Sequence, residues 1–96
     1  MLDLEVVNEA TEAIAELSVE VFGEKITWHD VQIGQRVFYS RKTASDSHYE
    51  VKVTFESGVN FSKQLGYLTH GVDFKDQLVV IGHDVVLKRE EPQEPR

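Results

Sequence analysis

The side chains best suited to acid–base chemistry or metal ligation near neutral pH are four histidines, His29, His48, His70 and His83. Two directly precede an acid, in His29-Asp30 and His83-Asp84. Neighbours on a strand point to opposite faces, so neither pair forms a His–carboxylate dyad by itself. The patterns H-x-H, H-E-x-x-H and C-x-x-C are absent, and the chain has no cysteine. Turns and strand edges are the expected places for these histidines, and no metal site is expected. Asp46-Ser47-His48 contains the three residue types of a hydrolase triad. A triad needs oxygen, imidazole and carboxylate to converge in space, which contiguity does not supply. Neither a G-x-S-x-G elbow nor a glycine-rich phosphate loop occurs. These residues predict a protein that is not an enzyme, with no catalytic residues and no cofactor.

A second kind of chemistry is carried by charge. The 96 residues have a formal net charge of −7, and its distribution is uneven. Residues 1–24 hold Asp3, Glu5, Glu9, Glu12, Glu16, Glu20 and Glu24 without one Lys or Arg. The remainder balances ten acids with ten bases. Such asymmetry speaks to partners rather than to fold. It argues against direct binding to nucleic-acid phosphates, which wants a basic face.

The element expected to position these acids is a helix over residues 3–22. Val7, Ala10, Ile14, Leu17 and Val21 recur at spacings of three and four, which places them on one helical stripe. Asp3 suits the first turn and Gly23 suits a C-terminal cap. On that helix Glu5, Glu9, Glu12, Glu16 and Glu20 fall within about 80° of arc. The result is an anionic ridge, expected to dock a basic partner. Trp28 is a second candidate for partner contact, because Trp is enriched at binding hot spots.

Beyond Gly23 the hydrophobic period changes to two. KITWHDV and QRVFYSR read as strands, and HYEVKVTF is the clearest strand, with Tyr49, Val51, Val53 and Phe55 on one face. Ser57-Gly58 marks a turn into Val59–Phe61. Residues 62–77 read as irregular or as a short helix. Leu78–Ile81 and Val85–Lys88 flank Gly82-His83-Asp84 as a hairpin. The expected fold class is α+β: one N-terminal amphipathic helix packed on a small antiparallel sheet or curled barrel of about five strands. A single domain is expected over 1–91, followed by a flexible tail over 92–96. No apolar run reaches about 18 residues, so no membrane span is expected. An acidic N-terminus argues against a signal peptide. A cytoplasmic location follows as an expectation, in keeping with the lack of cysteine.

Arg36, Phe38, Tyr39, Arg41 and Lys42 interleave bases with aromatics, an alternative nucleic-acid-binding strand. VKVTFESGVNFSKQLGYL followed by LVVIGHDVVL is loosely similar to the two-part pattern of Sm-like small barrels. That resemblance implies a small curled antiparallel sheet. It assigns no residue a role, because Ile81 stands where that family has Arg before Gly82.

The leading expectation is a small acidic protein-interaction module that binds or inhibits a basic protein, for example a nucleic-acid-binding one, through its helix. Bacterial immunity proteins and phage-encoded inhibitors are similar in size and charge. The alternatives are a small-barrel nucleic-acid-binding module and a homo-oligomeric structural subunit of a larger assembly, such as that of a phage.

Overall fold

A computed structural model describes residues 1–90. The expected tail over 92–96 lies outside the described residues. Eight strands follow one another: β1 (Leu2–Asn8), β2 (Ile14–Val21), β3 (Glu24–Val31), β4 (Arg36–Arg41), β5 (Ser47–Phe55), β6 (Asn60–Leu68), β7 (Phe74–Ile81) and β8 (Asp84–Arg89). They form two four-stranded sheets, β4-β1-β7-β8 and β3-β2-β5-β6. All pairings are antiparallel except β1 with β7, which run parallel. The inner faces meet in one core that includes Leu4, Val6, Leu17, Val19, Tyr49, Val53, Phe55, Leu78 and Val80. Each such side chain taken out of water contributes roughly 1.5–3 kcal/mol.

The expected α+β class is therefore wrong: among the described residues there is no helix, and the fold is an all-β sandwich. Residues 3–22 form β1, a connection and β2. Leu2, Leu4 and Val6 point inward, as do Leu17, Val19 and Val21, two runs of strict period two. Two local devices make these runs resemble a helix. Asn8 is buried, and its side chain accepts from Ala10 N at 3.0 Å while donating to the carbonyls of Glu12 and Val31, both at 3.1 Å. This Asx-type turn ends β1 and brings Ala10 back under the core. At Ala15 the β2–β5 register slips, with Ile14 opposite Phe55 and Glu16 opposite Thr54. The extra residue of this β-bulge lets Ile14 and Leu17, three apart, both point inward. Side-chain packing in the sandwich overrides the helix propensity of the glutamates and alanines.

The same device corrects the reading of 62–77. These residues are the body of β6, a short connection and the start of β7. A register shift places Tyr49 opposite Leu65 and Ser47 opposite Leu68. Gly66 occupies the irregularity at φ 71°, and a Cβ there would lie 2.9 Å from Tyr49 Cδ2. The hairpin at 78–88 is present, with Val80 opposite Val85 and Leu78 opposite Leu87. The curled single sheet implied by the small-barrel resemblance is replaced by two sheets face to face.

Candidate functional site

Folding distributes the five glutamates over three surfaces. Glu5 lies on the outer face of the β4-β1-β7-β8 sheet, where it accepts from Arg36 Nη1 and Gln77 Nε2, both at 2.9 Å. Glu16 and Glu20 point outward from β2 on the other sheet, opposite His29 and Lys25. Glu9 and Glu12 belong to the β1–β2 connection. Trp28 is half-buried on β3 and packs against the core, so its position serves folding.

The basic–aromatic strand is divided by its own pleat. Arg36 and Phe38 face outward, and Phe38 is 70% exposed. Tyr39 and Arg41 face the seam with β3 instead. Tyr39 donates to Glu24 at 2.8 Å, and Arg41 Nη1 lies 2.9 Å from the same carboxylate. Burial and the Glu24 carboxylate both push the Tyr39 hydroxyl up from its ordinary value. Lys42 is exposed just beyond the strand. Five residues within a seven-residue stretch thus serve two separate surfaces.

The opposite seam is closed by equivalent contacts. Lys63 Nζ on β6 reaches Asp84 at 2.9 Å and the Val85 carbonyl at 3.1 Å. The Lys63 ammonium, aided by the Val85 N–H, holds the Asp84 carboxyl below the usual range. Arg89 Nη1 donates to the Tyr67 carbonyl at 3.0 Å.

The deepest polar group is Asp76, whose side chain is fully buried. Tyr49 donates to it at 2.6 Å, and Arg89 grips it with Nε at 2.7 Å and Nη2 at 2.9 Å. The guanidinium also stacks 4.5 Å from the centre of the Phe74 ring. Clusters of perturbed groups mark active sites when they line a cleft. Here the carboxylate is enclosed and each partner is committed to it, so the trio is an internal tie between the sheets. Sequence reading missed it. Its signal was an acid between Phe74 and Leu78 on the inward phase of FKDQLVVI.

The remaining chemistry-bearing side chains stay apart. Ser47 Oγ accepts from Phe22 N at 3.0 Å, and Asp46 accepts from His70 N at 2.8 Å. His48 lies beside Glu50 at 3.5 Å, and the His83 ring centre sits 5.7 Å from that of Phe55. Among the described residues, no group of three His, Asp or Glu side chains could hold a metal ion. Among the described residues no helix is long and apolar enough to cross a membrane.

What the topology does bring together is a set of loops. The connections 9–13, 32–35, 56–59 and 82–83 share one end of the sandwich. Glu56 N donates to the Ala13 carbonyl at 3.1 Å, and Ser57 N to Glu12 Oε1 at 3.1 Å. Gly34 N donates to Asn8 O at 2.7 Å, and Glu9 N to Val80 O at 2.8 Å. The four loops carry Glu9, Glu12 and Glu56 and not one Lys or Arg. Exposed Ile33 and Val59 stand among them. Glu56 had no place in the helical reading, because only the fold puts it beside Glu12.

Fold and site together define an all-β sandwich with an anionic loop end. No protein-family model, no curated protein and no solved structure matches this chain.

Proposed function

We propose that this chain is a non-catalytic protein-interaction module that docks its anionic loop end onto a basic surface of a partner protein. The observation that supports this reading is the loop end itself, with three glutamates, two exposed aliphatic side chains and no cation. Uniform sign speeds encounter with a basic partner and disfavours acidic ones. Ile33 and Val59 supply apolar area that charge alone lacks. If the covered surface ordinarily holds phosphates, occupancy by this chain inhibits nucleic-acid binding. A cytoplasmic setting belongs to the same proposal, since a cysteine-free chain suits a reducing compartment.

The test compares three baits in a pull-down from host lysate, with captured proteins identified by mass spectrometry. One is the native chain, and one carries Glu9→Gln, Glu12→Gln and Glu56→Gln. The third carries Glu16→Gln, Glu20→Gln and Glu50→Gln, which removes equal charge from the outer face of β2 and β5. Gln keeps the acceptor that Glu12 offers Ser57. A basic protein retained by the native and third baits and lost by the second supports the proposal. Equal capture by all three, or equal loss from both variants, refutes it.

A further inference from the structure

The outer face of the β4-β1-β7-β8 sheet differs from the rest of the surface in charge and in polarity. Its side chains stand in rows fixed by the ladder register. One row is Ser40, Asp3, Lys75 and Glu90, and the next is Phe38, Glu5, Gln77 and Lys88. The third is Arg36, Val7, Val79 and Val86. In these three rows three acids face three bases, and the acid of the next row, Asp84 beside Ile81, is paired with Lys63 of the other sheet, so the patch is close to neutral on a chain of charge −7. A shallow groove of about 550 Å³ runs across it between Phe38 and Lys88. Phe38 is 70% exposed and Val86 38% exposed. Lys75 and Lys88 make no ion pair among the described residues.

We infer that this face is an isologous docking surface for a second copy of the chain. The face is complementary in charge to itself under a two-fold axis. Place the axis between β1 and β7, parallel to the strands and in the plane where two such faces meet. Rotation then lays β1 of one copy over β7 of its partner, and β4 over β8, with every row kept at its own height. Asp3 meets the partner's Lys75, whereas Val7 and Val79 lie buried beneath their neighbours and contribute no contact. Phe38 enters the groove beside the partner's Lys88, where a cation over the ring is favourable. Arg36, already held by Glu5, falls opposite the partner's Val86. A two-fold interface must be self-complementary in this way. Packed sheets also align within about 30°, which keeps the central pairs in register.

Neutrality decides for a second copy over an unrelated partner. Two chains of charge −7 repel wherever their anionic surfaces meet, and this face lets them approach without that cost. The area sets the strength. Four strands at about 4.8 Å spacing and roughly seven residues at about 3.4 Å give a face near 20 Å square. Two such faces bury on the order of 1,000 Å², the low end for a specific interface. A face this small gives a reversible dimer, weakened by salt.

The test is sedimentation velocity on the full chain from low micromolar to millimolar concentration, with Asp3→Lys and Lys75→Asp made singly. Circular dichroism confirms that each variant folds. The native chain is expected to shift from monomer to dimer, and each single variant to dimerise at least tenfold more weakly. The two variants mixed are expected to regain association, because Lys at position 3 of one copy then meets Asp at position 75 of the other, and Asp3 meets Lys75. A native chain monomeric throughout overturns the inference. So does a dimer that the single variants leave unchanged, or one that mixing fails to restore.

Discussion

Tyr49 of β5 and Asp76 of β7 meet across the two sheets, hydroxyl donating to carboxylate at 2.6 Å, in an interior that water does not reach. Burial and the adjacent carboxylate both push the Tyr49 hydroxyl far above its ordinary value of 10.0. The folded state therefore holds this proton more tightly than the unfolded chain. Stability from this group is fully present below pH 10.0 and is lost as pH rises beyond it. Urea midpoints measured against pH should fall in that alkaline range, with a limiting slope of about 1.4 kcal/mol per unit. Tyr49→Phe should leave only the smaller slope due to Tyr39.

Arg89 is the only cation on Asp76 among the described residues. Arg89→Met strands a buried carboxylate and should cost about 3–5 kcal/mol, read from urea unfolding. Replacing all three members, with Tyr49→Phe, Asp76→Leu and Arg89→Met, should recover most of that loss. A triple variant no more stable than Arg89→Met would show that the trio contributes more than mutual compensation.

Gly66 sits at φ 71° with Tyr49 Cδ2 and Leu87 Cδ2 at 2.9 and 3.1 Å from where a Cβ would stand. Gly66→Ala adds backbone strain to a steric clash in the core. A loss of about 1–3 kcal/mol in thermal or urea unfolding is expected. Gly58→Ala, at φ 91° with open space around it, carries the backbone term alone and should cost less.

Asp84 offers a local probe of the β6–β8 seam. Its carboxyl should titrate below 3.8 in a carbon-detected NMR experiment. Lys63→Met should raise it, though not fully, because the Val85 N–H still donates at 2.8 Å. Both groups are exposed, so global stability should barely change.

The strands with uninterrupted alternation were legible in the sequence: Tyr49 to Phe55, and the hairpin from Leu78 to Lys88. The two misread segments share a cause. At Ala15 and near Gly66 a bulge adds one residue, so Ile14 and Leu17, and Leu65 and Leu68, point inward at a spacing of three. A spacing of three is a helical signature in sequence and a bulged strand in space. The site suffered likewise. The glutamate ridge depended on helical phase, whereas the loop end depends on Glu56 and Glu12, residues that only the β2–β5 pairing brings together. The pairing of Asp3 with Lys75 in one row was equally invisible, since it needs the parallel β1–β7 ladder.

That ladder also governs the order in which the molecule can be made. β1 occupies an interior position in its sheet, yet its neighbours are residues 36–41 on one side and 74–81 on the other. During synthesis Leu2, Leu4 and Val6 leave the ribosome long before either neighbour exists; one edge can pair once residue 41 has emerged, and the other stays open until residue 81 has. Contacts so distant in sequence form slowly. The nascent chain thus carries an apolar strand with at least one open edge for most of its translation, and this interval is when a chaperone would bind it or when it would aggregate.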